Sequence, residues 1–414
     1  MKKDALATVF LVVLVDLMGF GIVLPLIPFY ASEFGASAVA VGLLYSIYSF
    51  AQLVFSPIWG SFSDRIGRRP IMLMSTFGAF LAYCLFAVSN SLWVLFLSRL
   101  IAGVMGGNIS TAQAYVADVT THEERAKGMG LIGAAFGIGF VVGPALATLL
   151  IHPAFSRFFE SHGLAGVADL IAQNKYALPG FFAAALSFLS FLLVIFKLPE
   201  TVQKEKAADA ARIVRPSIFS RNFWTSLMEE GGTSSKHLLP LFMICIFLLA
   251  LGQSSLYSAF PLFCKMRLSL DPEQVGMQFA AMGLIAVFVQ GGLIRPLEKR
   301  FGERRLFLVG STLMVAGLAL IPFAASPGVL TLFLSVLAAG ASLNGPTLNS
   351  LISKQADPSR IGYTMGSSQG FSALGRVVGP AWGGLLFGFS FKWPFVITAM
   401  VVSFTIFVGL KLKE

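Results

Sequence analysis

The sequence predicts an all-α membrane protein with twelve transmembrane helices arranged as two pseudo-symmetric six-helix halves. Three observations predict it. Apolar stretches long enough to cross a bilayer recur along the chain, one polar segment interrupts them midway, and residues on either side of that segment repeat at a constant spacing. Crossing a hydrocarbon core of about 30 Å takes about 20 helical residues. Hydrophobic residues make up 56% of the 414 and charged ones 12%, and mean hydropathy is +0.80, so lipid is the expected surrounding.

Spans are read at 5–29, 38–59, 71–89, 91–117, 126–150, 177–197, 238–262, 274–294, 306–325, 327–350, 362–387 and 393–411. The first holds Asp16, Pro25 and Pro28 and has no small-residue cleavage site after it, so it reads as a span and not as a removable signal peptide. An even number of spans puts both termini on one side. Twenty-three of the 30 Lys and Arg residues then fall on that side, while Arg157, Lys175, Lys265, Arg267 and Lys392 fall on the other. Such an asymmetry places both termini in the cytoplasm. The net charge of +10 is accounted for by topology and attraction to an anionic leaflet; no basic stripe interleaved with aromatics suggests nucleic acid.

The polar stretch divides the chain into an N-terminal half, 1–198, a cytoplasmic linker, 199–237, and a C-terminal half, 238–414. Within the linker Phe219, Phe223, Trp224, Leu227 and Met228 recur at helical spacing beside Arg221, as in an interfacial amphipathic helix. Across it, Pro25-Leu26 reappears as Pro261-Leu262, Asn108 as Asn344, and Gly143-Pro144 as Gly379-Pro380, each 236 residues on, with Gly67 matching Gly302 at 235. Agreement at one spacing argues for internal duplication. Six helices repeated as six is the plan of transporters that rock about a central site.

Charges in the membrane are costly and point to function. Asp16, Arg99 and Arg376 lie inside spans. Asp16 is the candidate proton carrier, and Arg99, which cannot titrate usefully, would modulate it or hold substrate. Arg376 is the candidate substrate contact, because its duplicated position is the apolar Phe140 and a guanidinium suits a carboxylate or phosphate held by two bonds. Gln52, Asn108, Gln253, Tyr257, Asn344 and Gln369 are polar or aromatic positions that would line a cavity or bond one helix to another. Gly133, Gly137, Gly143 and Pro144, with Gly379 and Pro380, form a small-residue packing motif.

Between spans two and three runs Gly60-Ser-Phe-Ser-Asp64-Arg65-Ile-Gly67-Arg68-Arg69-Pro70. At each defining position this loop resembles the Gly-x-x-x-Asp-Arg-x-Gly-Arg-Arg loop of the major facilitator superfamily. Arg99-Leu-Ile-Ala-Gly103 is similar to that superfamily's motif in span four, and Gly133 through Gly143-Pro144 to its antiporter motif, although Ala145 to Ala147 follow where paired glycines are usual. The opening Asp16-Leu-Met-Gly-Phe-Gly-Ile-Val-Leu-Pro-Leu-Ile-Pro28 looks like the first span of tetracycline and multidrug proton antiporters. The resemblance implies a monomeric secondary transporter of the bacterial cytoplasmic membrane, which exchanges small amphipathic compounds for protons by alternating access. It also implies a cytoplasmic gate of Gly60, Asp64, Arg65, Gly67, Arg68 and Arg69, joined by Asp118 at the end of span four. In the outward-open state Asp64 would latch onto the amino terminus of helix eleven, near 359–362.

In the second half Lys299 stands opposite Asp64 and Gly252 opposite Asp16, so the acidic roles are expected in the first half alone. An anionic metabolite or lipid-like acid is the other substrate class. A membrane-embedded enzyme is disfavoured because His122, His152, His162 and His237 fall in loops without catalytic or ligand spacing. Cys84, Cys245 and Cys264 show no pairing pattern, and neither metal nor cofactor is expected.

Overall fold

The computed structural model describes residues 2–106, 108–120, 125–161, 166, 173–201, 238–355 and 361–412, and all the regular elements among them are helical. The linker's amphipathic segment and His122, His162 and His237 lie outside the described residues.

In the first half, α1 (Lys2–Val23) and α2 (Ile27–Glu33) divide the expected first span. Pro25 has no N–H to continue α1, and Pro28 starts α2, so the chain turns over Leu24–Leu26. After α3 (Ala38–Ile66) comes α4 (Arg68–Ala87), then α5 (Leu92–Val104), α6 (Asn108–Val119), α7 (Arg125–Ile151), α8 (Pro153–Ser161) and α9 (Ala177–Lys197). Ser91 caps α5, its Oγ accepting from the Val94 N–H. The motif loop expected over Gly60–Pro70 is mostly helix: α3 runs on to Ile66, and Gly67 alone breaks the chain. A glycine at 60 weakens a helix without ending it, whereas Gly67 has φ 116° and ψ 154°, which helical residues cannot adopt.

The second half repeats the scheme with α10 (Leu238–Leu268), α11 (Pro272–Phe288), α12 (Ile294–Leu320), α13 (Pro327–Gln355), α14 (Ile361–Phe389), α15 (Trp393–Val402) and α16 (Phe404–Lys411). A π turn, Val289–Leu293, joins α11 to α12, and Gly302 breaks α12 at φ 75° and ψ 160°. Nine stretches among the described residues are long and apolar enough to cross a membrane; one of them, Pro272–Phe323, contains Gly302. Large apolar side chains such as Trp93, Phe196, Phe389 and Met400 stand exposed on these helices, as lipid contact requires.

The chain clusters into two compact units, the first of residues Met1–Ser37, Ile47–Ile213 and Ser269–Gly283, the second of Ala38–Ser46, Val214–Leu268 and Leu284–Glu414. In the first unit α7 lies directly on α1. A Cβ at Gly143 would fall 2.6 Å from the Gly21 Cα, and one at Gly139 2.6 Å from the Leu17 Cβ. In the second, α14 lies the same way on α10, with Gly375 against the Phe247 carbonyl and Gly379 against the Leu251 carbonyl. Small residues let backbones approach where lipid provides no hydrophobic drive between helices. Gly137 lies on α7, half-buried; the surroundings of Gly133 lie outside the described residues. Pro144 and Pro380 do not end their helices. In the second unit the Ser46 hydroxyl accepts from the Ala381 N–H (3.1 Å) and donates to the Val377 carbonyl (2.6 Å), bridging the turn around Pro380.

Candidate functional site

Two groups of residues in the first unit carry the chemistry that the sequence singled out. The first surrounds Asp16 on α1. Tyr83 of α4, 5% exposed, interacts electrostatically with Asp16, Arg99 and Tyr48. Its ring lies 3.3 Å from where a Cβ would stand at Gly19, one turn along α1 from Asp16. Arg99 of α5 is 2% exposed, and its guanidinium sits 5.7 Å from the centre of the Tyr83 ring and 5.2 Å from that of Phe86. Asp16 and Arg99 are therefore gathered around one buried phenol. Phe20, on the following turn of α1, stacks on Tyr48 with ring centres 5.2 Å apart. Tyr83 was missed in sequence; the available signal was a hydroxylated aromatic in an otherwise apolar span.

The second group lies around Gly67. The Arg68 side chain reaches Asp64 (2.5 Å), one turn back on α3, and Asp118 (3.0 Å) near the end of α6, and it donates to the Ser63 hydroxyl (2.7 Å). Here Asp64 is engaged by its own half; the partner expected for it, 359–362, lies largely outside the described residues. Glu200, just past α9, caps α4: its carboxylate accepts the Arg68 N–H (2.9 Å) and the Arg69 N–H (3.1 Å). An anion at a helix amino terminus meets free N–H groups and the positive end of the dipole. In return Arg69 donates to the Ile195 carbonyl (2.6 Å) at the carboxyl end of α9. Thr201 donates to Asp118 (3.2 Å) and Tyr115 to the Pro199 carbonyl (3.0 Å), so the start of the linker is bonded into the cluster. A Cβ at Gly67 would collide with the Glu200 carboxylate; the residue is glycine for space as well as for φ. Arg65 is exposed, and a Cβ at Gly60 would meet nothing within 4 Å.

The other candidates scatter. Gln52 donates to the Gly106 carbonyl (3.3 Å). Asn344 is 1% exposed, accepts from the Ser311 hydroxyl (3.3 Å) and approaches the Met314 sulfur (3.9 Å), so its amide bonds α13 to α12. Gln253 and Gln369 are exposed, and the Asn108 side chain lies outside the described residues. Arg376 donates to Ser372 one turn earlier (2.8 Å) and interacts electrostatically with Tyr257, whose ring centre lies 6.1 Å from that of Tyr45, all in the second unit. Among the described residues no group of three His, Cys, Asp or Glu side chains is placed to hold a metal.

The family model of the Major Facilitator Superfamily matches residues 9–296 and again 242–413, which together span nearly the whole chain. The chain belongs to the major facilitator superfamily. This facilitator is 33% identical over 384 residues to the tetracycline resistance protein, class E, of Escherichia coli, covering 92% of this chain and 86% of that one. It is 26% identical over 409 residues to multidrug resistance protein 2 of Bacillus subtilis (strain 168), covering 95% and 92%. Among solved structures it superposes on the human organic anion transporter MFSD10 with a TM-score of 0.68 and 25% identity, covering 99% of each chain. It is thus a multi-pass membrane transporter whose relatives include tetracycline and multidrug resistance proteins.

Proposed function

We propose that this facilitator is a twelve-span, proton-coupled exporter of small amphipathic organic compounds, working as a monomer by alternating access in the bacterial cytoplasmic membrane with both termini inside. The observation that carries this reading is the Asp16–Tyr83–Arg99 group, a carboxyl held among apolar helices beside a phenol and a guanidinium, in a chain similar over nearly its whole length to tetracycline resistance proteins. Asp16 carries the proton, and Arg99 tunes how readily it is released. The cluster of Asp64, Arg68, Asp118 and Glu200 keeps the cytoplasmic ends of α3, α4, α6 and α9 together, so that the half moves as one piece; in the outward-open state Asp64 exchanges Arg68 for the amino terminus of α14, the eleventh span. In proteoliposomes, Asp16→Asn abolishes accumulation driven by a pH difference, while a binder found by thermal-stabilisation screening still protects the variant. Accumulation that persists in Asp16→Asn overturns the assignment.

A second reading, for an anionic metabolite or lipid-like acid, is favoured by Arg376 beside Tyr257 and by the similarity to a protein described as an organic anion transporter. A planar guanidinium holds a carboxylate by two bonds, which an ammonium cannot reproduce. Arg376→Lys and Arg376→Ala then both weaken binding of an organic acid while sparing its amide and a matched amine. Equal losses for all three compounds, or none, leave Arg376 a structural residue.

A further inference from the structure

The duplication that repeats Gly67 as Gly302 also repeats charges around it, with the sign reversed at three positions. Adding 235 to Asp64 and Arg68, and 236 to Asp118, gives Lys299, Glu303 and Lys354. The structure joins the last two: the Lys354 ammonium lies 2.8 Å from the Glu303 carboxylate, and Ser350 donates to the same oxygen at 2.5 Å. The residue that follows the glycine turn is thus bonded to the last turn of a helix in both units, Arg68 to Asp118 of α6 in one and Glu303 to Lys354 of α13 in the other. The neighbouring position keeps its sign and its task. Arg69 caps the carboxyl end of α9, and Arg304, 235 residues on, donates to the Leu410 carbonyl (3.2 Å) at the end of α16.

Topology explains the cations of this turn, Arg295, Lys299, Arg300, Arg304 and Arg305, but it does not explain an acid set among them. Nor is Glu303 an idle surface acid, for its side chain is only 10% exposed whereas that of Lys354 is 65% exposed. Burial alone would push the Glu303 carboxyl up, yet the bonds from Lys354 and Ser350 outweigh it and hold the carboxyl below the ordinary glutamate range. Burial and the adjoining Glu303 raise Glu298 above that range.

We infer that Glu303 and Lys354, steadied by Ser350, are the positioning pair of a second cytoplasmic gate brace, the counterpart of Arg68–Asp118 with acid and base exchanged. The inference rests on the gate reading of the first-half loop. The pair ties the Gly302 turn to the end of α13 so that both move together in the transport cycle, and what it needs is opposite charge at the two positions, whichever carries which. The two partners are unequal. Removing Lys354 strands a mostly buried carboxylate, whereas Glu303→Gln frees an ammonium that is already largely in water and keeps an acceptor for Ser350.

The test compares Lys354→Gln, Glu303→Gln and the exchanged pair Glu303→Lys with Lys354→Glu, reading initial transport rates in proteoliposomes per folded transporter. Lys354→Gln should lower Vmax by about tenfold and Glu303→Gln by about threefold, as expected for losing one partner of a charged hydrogen bond. KM should stay within about twofold, because the brace acts on turnover and not on the substrate site. The exchanged pair should return Vmax to near the wild-type value. Single variants without effect, a KM that moves in step with Vmax, or an exchanged pair no better than Lys354→Gln would each overturn the inference. If a single variant yields no folded protein, recovery of folded yield in the exchanged pair tests the same pairing, and no recovery overturns it. Arg68→Gln and Asp118→Asn run in parallel keep the two readings distinct. Normal turnover in these removes the gate reading itself, whereas loss in them beside normal second-half variants removes only the second brace.

Discussion

The two glycine turns that follow α3 and interrupt α12 share a backbone and differ in what fills it. Gly67 and Gly302 both sit at positive φ with ψ near the extended limit, a region open to glycine almost alone. Around Gly67 the space a Cβ would take belongs to the Glu200 carboxylate, whereas a Cβ at Gly302 would meet nothing within 4 Å. The first turn is filled and the second is open at its glycine. Duplication has preserved the reversal of the chain more strictly than the chemistry placed on it. The arginine after each turn still caps a helix, and the ion pair beside it still forms with its polarity turned over.

This difference sets the largest effect expected on stability. Gly67→Ala meets backbone strain of about 1–3 kcal/mol and must also displace the Glu200 cap, worth about a further 1 kcal/mol. Gly302→Ala meets the strain alone. Thermal unfolding of both in one detergent should therefore rank Gly67→Ala clearly below Gly302→Ala. Adding Glu200→Gln should cost little more in the Gly67→Ala background, because the cap is already lost. Equal losses at the two glycines would mean that Glu200 contributes nothing and that the turns are equivalent after all.

Much of this was legible in sequence, and the reason is local. Prolines and glycines act on their own backbone, so Gly67 marked a real turn, and Pro25 and Pro28, read inside one span, carried the signal for the break that divides it; the 235- and 236-residue spacings pointed to helices and turns that do recur. What escaped was made by contacts between distant segments. Glu200 reaches the Gly67 turn across 132 residues, and nothing in Leu198-Pro199-Glu200 distinguishes it from any acid after a span. Tyr83 joins Asp16 only because α4 packs near α1. The expectation that acidic roles belong to the first half alone came from comparing Gly252 with Asp16 and Lys299 with Asp64, each position by itself. Taken singly, that pair reads as a lost acid. Three positions together show an ion pair retained with its signs exchanged, and only the approach of Lys354 to Glu303 made them worth reading together.

The smallest effect concerns a second pair of turns. Among the described residues four have positive φ, and they fall into two pairs: Gly67 with Gly302, and Gly35 (φ 70°) with Ser269 (φ 53°), 234 residues apart. The second pair precedes α3 and α11, so the second half makes with a serine the turn that the first makes with a glycine. A left-handed conformation costs a residue with a Cβ about 1 kcal/mol or somewhat more. A Cβ at Gly35 would meet nothing within 4 Å, so Gly35→Ala should cost about that strain and no more. The converse change does not return the same amount. Ser269→Gly relieves the strain but lengthens the list of conformations open to the unfolded chain, which takes back about 0.4–1 kcal/mol. The expected outcome is an asymmetric pair: a loss of about 1 kcal/mol for Gly35→Ala and a gain of at most a few tenths for Ser269→Gly, both read by thermal unfolding in the same detergent. A Ser269→Gly variant that is destabilised as much as Gly35→Ala would show that the serine side chain supports its turn, and that here, as at Gly67 and Gly302, the second half has replaced the first half's chemistry and kept only its path.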